Sequence, residues 1–144
     1  MAWIGRRETS FYPPDALDAG ADLAALPVVW AKDVVAVAKA ADLLVRSGAF
    51  GLVLVDLGIE PALPAHASSR LAGLAKQHGT AVVCLTDKDA RRPSLGPLVS
   101  LRVHADRRTF GDGRYRCEAS AIKDKRGKPG WTIAEVCRGP DGLH

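Results

Sequence analysis

Hydrophobic and polar positions follow two rhythms along this chain. Up to about residue 85, short apolar runs alternate with segments whose apolar residues recur every three or four positions. "MAWIG" reads as a strand starting at the first residue, which raises the expectation of a segment upstream. "YPPDALDAG" predicts a turn at Pro13-Pro14 and a brief helix ended by Gly20. "PVVW", residues 27–30, is a second strand. The clearest helix runs from Asp33, a good N-cap, to Gly48, a good stop. Val34, Val37, Ala38, Ala41, Leu44 and Val45 line one of its faces, while Lys39, Asp42 and Arg46 fall mainly on the other.

"GLVLVD", residues 51–56, is an apolar run of the kind used by a strand buried on both sides. A proline-rich loop, "LGIEPALPAHA", leads to a helix from Ser68 or Ser69 to His78, closed by Gly79, and then to the strand "AVVCL", residues 81–85. Strand and helix alternate throughout this half, which implies right-handed crossovers and a parallel sheet. The rhythm then changes. "PLVSLRVHADRR", "GRYRCEASAIKDK" and "GWTIAEVCR" alternate in polarity and are separated by the turns "TFGDG" and "KRGKPG". They predict an antiparallel extension on the end of the parallel sheet. With no repeat and no long linker, residues 1–144 are read as a single domain.

Composition adds little to this: 47% hydrophobic and 25% charged residues suit a globular chain, and only 6% aromatics leave a mainly aliphatic core. Charge adds more. The net charge is +4, and the excess lies in residues 87–128, which hold Lys88, Arg91, Arg92, Arg102, Arg107, Arg108, Arg114, Arg116, Lys123, Lys125, Arg126 and Lys128. Such a stretch permits contact with nucleic acid or acidic surfaces. Cys84, Cys117 and Cys137 show no metal spacing and read as reduced, buried thiols; a Cys117–Cys137 bridge between neighbouring strands is the alternative. There is neither an apolar signal segment at the start nor a run long enough to span a membrane.

Candidate chemistry centres on Asp56. An acid at the C-terminal end of a parallel strand is placed to bind Mg²⁺, or equally to cap the following loop. Glu60, in that loop, reads as a solvated acid. The phosphate cradle GxxxxGK[ST] is missing: the only Gly-Lys pair, Gly127-Lys128, is followed by Pro129, and Ile122 stands where the first glycine would be. Lys123 and Lys125 share one side of a strand, either as an anion site or as solvent-facing edge lysines. Arg6, Arg7 and Glu8 leave the first strand at the ligand edge, where a glutamate can orient water or simply form a charged turn. His66, His78, His104 and His144 are scattered, and no nucleophile motif is present.

Taken in order, these segments resemble the bacterial RecA recombinase family. "AWIGRRETSFYPPDAL…GADLAALPVV" is similar to the segment after the phosphate-binding helix. "LLVRSGAFGLVLVDL" resembles the "RSGA" helix end and acidic strand, and "RLAGLAKQHGTAVVCL" the next helix and strand. "AIKDKRGKPGWTIAEV…GPDGL" resembles the paired-lysine strand and closing turn. The resemblance implies a RecA-like core without its first βα unit. It puts Asp56 at the Mg²⁺-linked acid, and Glu8 (or Arg7, with no insertion) near the water-activating glutamate. Lys123 and Lys125 fall on the lysines that reach ATP across a filament interface. Thr86-Asp87 replaces a nucleotide-sensing glutamine, and the two DNA-binding loops are short.

These departures make the chain more similar to the degenerate ImuA group, with "AW", the "YPP" turn and "RSGAF"; the cell-division inhibitor SulA is a more distant relative. The implied function is a non-catalytic accessory protein of the DNA-damage response. It would be cytoplasmic and nucleoid-associated, with no metal or cofactor and no membrane. Its partners would be a polymerase-like mutagenesis protein, RecA, or both, and DNA through Arg91, Arg92, Lys123, Lys125, Arg126 and Lys128. Arg7, Glu8, Asp56 and Asp87 would be vestiges of a nucleotide site. Two other readings stay open: an ATPase whose cradle lies upstream, and a SulA-like inhibitor.

Overall fold

In the first half of the chain, strand residues alternate between a face that helices cover and a face that they do not. A computed structural model describes residues 1–9, 11–59, 63–93 and 95–139; Glu60, His144 and most of the "GPDGL" turn lie outside these. The chain divides into two compact units, Met1–Asp89 and Ala90–His144.

The first unit is built on four parallel strands in the order β2-β1-β3-β4: β1 (Ala2–Arg6), β2 (Val28–Ala31), β3 (Leu52–Asp56) and β4 (Ala81–Leu85). Its helices are α1 (Pro13–Asp18), α2 (Val34–Arg46) and α3 (Ala65–His78), with a 3₁₀ turn at Leu23–Ala25 that the sequence pattern does not announce. Helix α2 lies against β1, β2 and β3, and α3 lies against α2 and β4. The core forms beneath them. Ile4, Val37, Val45, Val53 and Val55 are fully buried, with Ala2, Ala38, Ala41 and Leu71 around them.

Local signals explain the helix ends. Asp33 Oδ1 accepts the Ala36 N–H at 2.7 Å, which caps α2. Gly79 closes α3 at φ +63°, a left-handed conformation that glycine adopts without steric cost. Helix α3 begins at Ala65, earlier than Ser68: Pro64 is its N-cap, and the Pro64 carbonyl accepts the Ser68 N–H at 3.0 Å. Asp42 of α2 accepts from Arg46 on its own helix and from Arg70 on α3. The Arg70 hydrogen bond is the main reason its carboxyl lies below the usual range.

Burial of β3 differs from a strand covered on both sides. Val53 and Val55 are buried, whereas Leu52, Leu54 and Asp56 are only half-buried. The same side of the sheet carries Trp30, Val83 and Leu85, which are exposed. Apolar runs therefore mark the strands correctly but overstate how much of them is covered.

The second unit holds β5 (Leu101–Gly111), β6 (Arg114–Asp124) and β7 (Thr132–Arg138). They pair antiparallel in the order β5-β6-β7 and form a sheet of their own, not an extension of the parallel one. Among its described residues only Ala121 is a buried apolar side chain. Its order rests instead on cross-strand pairs and turn hydrogen bonds. Asp124 anchors the β6–β7 turn by accepting the N–H groups of Arg126 and Gly127, both at 2.9 Å, and the Trp131 indole N–H at 3.3 Å. The Gly127 N–H is the first reason its carboxyl lies below the ordinary range.

Candidate functional site

Asp56 ends β3, next to the end of β1, where open parallel sheets gather ligands. Its surroundings come from two turns. Gly58 N–H donates to Asp56 Oδ1 at 3.1 Å, closing an Asx turn directly after the strand. After β1 the chain folds back so that the Arg6 carbonyl accepts both the Thr9 N–H at 3.0 Å and the Thr9 hydroxyl at 2.9 Å. This brings Thr9 beside Asp56 and Gly58. Asp87 joins the edge through its N–H, which donates to the Gly58 carbonyl at 3.0 Å.

Burial is the main influence on the Asp56 carboxyl and pushes it up from its usual range. The Gly58 and Thr9 hydrogen bonds oppose that push, nearby Asp87 adds to it, and Arg6 opposes it. A carboxyl raised on folding favours the native state most when protonated. Its contribution is therefore complete below the unfolded value, about 3.9, and is lost as pH rises through the folded value. Asp56→Asn keeps an acceptor for Gly58 and removes the charge. It should raise the melting temperature at pH 7, with the gain shrinking below about pH 4 in a pH series of thermal melts. A lower melting temperature at pH 7 would contradict this.

Of the other vestigial positions, Asp87 lies near enough to act on the Asp56 carboxyl, whereas Arg7 and Glu8 do not converge on it. Arg7 and Glu8 are exposed, and among the described residues Glu8 makes only a long 3.9 Å pair with Arg6. Asp87 is exposed at the end of the edge. Among the described residues no three His, Cys, Asp or Glu side chains cluster as metal ligands. Arg6, Thr9 and Gly58, which shape this edge, were legible only as a turn and a loop.

The basic residues separate into groups. Lys123 stands directly across from Arg102, whose guanidinium donates to the Arg92 carbonyl at 2.6 Å. Lys125 lies beyond the end of β6, and its ammonium donates to the Pro97 carbonyl. The segment before β5 is thus stitched to the end of β6, which gathers Arg92, Lys123 and Lys125 and adds Arg102, a member of the basic stretch that was not among the contact candidates. Arg126 and Lys128 project from the β6–β7 turn, and Arg91 is exposed in the segment before β5.

The cysteines are free thiols. Cys84 and Cys117 are half-buried, and Cys137 is exposed and not buried as its strand pattern suggested. Burial pushes the Cys84 thiol up to about 11, outside the range of a reactive thiolate. Among the described residues no helix is long and apolar enough to cross a membrane. No protein-family model matches the sequence, and no curated protein matches it either.

Proposed function

We propose that this chain is a non-catalytic RecA-like accessory protein, nearest in kind to the ImuA group, acting in the DNA-damage response. It supports translesion synthesis or modulates RecA recombinase through contacts with a polymerase-like partner, with RecA or with DNA. Its place is the cytoplasm, at the nucleoid. The observation that carries this reading is the state of Asp56. The residue ends a central parallel strand, as the resemblance expects, but its carboxylate is half-buried and engaged by the Gly58 and Thr9 turns. The parallel order β2-β1-β3-β4 supports the scaffold part of the reading. The cluster of Lys123 and Arg102 supports a contact surface.

Damage-induced mutation frequency in a deletion strain tests the proposal. Deletion should lower it. Wild-type protein and Asp56→Asn should both restore it, whereas Lys123→Glu combined with Arg126→Glu should not. Normal induced mutation in the deletion strain, or failure of a stably folded Asp56→Asn protein to complement, would sink the reading.

A further inference from the structure

One end of the three-stranded sheet concentrates arginine in a way that register alone reveals. Arg114 and Arg116 stand two residues apart on β6 and so share a face. Arg114 pairs with Arg138 on β7, and Arg116 pairs with Arg108 on β5. Directly opposed side chains have Cβ atoms about 4.5–5.5 Å apart, and like charges in such pairs destabilise a sheet. Two opposed arginine pairs are therefore adjacent on one face, beside the β5–β6 turn.

Neutralisation within the sheet is partial. Arg108 donates to Asp106 at 2.9 Å, and Arg114 is 3.7 Å from Asp112. Glu118 lies one row further in, opposite Asp106. Arg116 and Arg138 make no side-chain hydrogen bond or ion pair with any described residue. Next to them is an exposed aromatic ring. Phe110 falls in the register irregularity between Thr109 and Gly111, is 51% exposed, and has the Arg114 guanidinium 5.7 Å from its centroid.

We infer that this end of the sheet binds single-stranded nucleic acid, with Arg114, Arg116 and Arg138 on phosphates and Phe110 stacked on a base. Opposed arginines cost the free sheet stability, and an anion on that face removes the cost. The exposed ring selects among polyanions. Duplex bases are already stacked within the helix, and a sulfated sugar has no π-face, whereas an unpaired base has one to offer. The surface is distinct from the Lys123 end, since the acidic Asp106–Glu118 row lies between them. It does not depend on the RecA-like reading.

The test is fluorescence anisotropy of a labelled oligothymidine with the full chain across a salt series. Arg116→Glu combined with Arg138→Glu should weaken binding about tenfold or more near 0.1 M salt. The slope of log affinity against log salt should fall by about 1.4, at about 0.7 per lost phosphate contact. Phe110→Ala should weaken binding by roughly 5- to 100-fold at an unchanged slope, and Phe110→Trp should restore it. Because Arg116→Glu sets a carboxylate opposite Arg108, the melting temperature of the charge variant should hold or rise, which separates lost binding from unfolding. Three results would overturn the inference: no binding by the wild type, equal competition by duplex or heparin with Phe110→Ala unchanged, or capture of anionic vesicles in preference to the oligonucleotide. Loss of binding confined to Lys123→Glu would also overturn it, while leaving the accessory-protein reading intact.

Discussion

Replacing Ile4 with alanine should destabilise the chain by about 2–5 kcal/mol, the usual cost of truncating a fully buried aliphatic side chain. Ile4 is 0% exposed, sits on the central strand β1, and is flanked by Val29 on β2 and Val55 on β3. Helix α2 lies against that strand, so the vacated volume is walled on several sides by packed aliphatic groups. Such a site relaxes little, and the cavity term adds to the lost transfer energy. Domains of this size have total stabilities of about 5–15 kcal/mol, so the variant loses a large part of its margin. Urea denaturation should show a lower midpoint at an unchanged slope. A loss below about 1 kcal/mol would mean that the helices do not seal this face as described.

The second large effect is expected at Gly5, where space and not backbone angle is limiting. A Cβ there would lie 2.6 Å from Thr9 Oγ1, 3.3 Å from Trp3 Nε1 and 3.4 Å from Trp30 Cζ3. Thr9 cannot easily withdraw, because its hydroxyl and N–H both donate to the Arg6 carbonyl. Trp3 is also held, with its ring centroid 4.9 Å from that of Phe11 and its indole N–H buried without a partner among the described residues. Gly5→Val should therefore cost about 1–3 kcal/mol by overpacking. Thr9→Ala alone loses a hydrogen bond worth about 0.5–1.5 kcal/mol, but in the Gly5→Val background it should relieve the clash and cost less. A double-mutant cycle should return a coupling of about 0.5–3 kcal/mol, and strict additivity would refute the contact.

What the sequence revealed follows from how far each signal reaches along the chain. Asp33, Gly79 and the three-to-four spacing from Val34 to Val45 are local, and they placed the helix ends and the buried face of α2 closely. Apolar runs placed the four parallel strands for the same reason. Whether β5 joins the parallel sheet is decided by hydrogen bonds between distant segments, and polarity alternation carries no information about that partner. The same limit applied to function. The position of Asp56 could be read from the run that it ends, but its engagement by Thr9 and Gly58 depends on a turn from another part of the chain. Arg114 and Arg116 were visible only as members of the basic stretch, and their opposition to Arg138 and Arg108 exists only once the register is known.

The central claim is that Asp56 serves the scaffold and not a Mg²⁺–nucleotide reaction. It is tested most directly by thermal melting of the full wild-type chain and of Asp56→Asn at pH 7, each with and without saturating Mg·ATP. If the carboxylate bears a burial cost and holds no metal, Asp56→Asn melts higher than wild type and Mg·ATP shifts neither protein. If Mg·ATP stabilises the wild type and Asp56→Asn abolishes that shift, the residue holds a nucleotide-bound metal and the accessory reading fails.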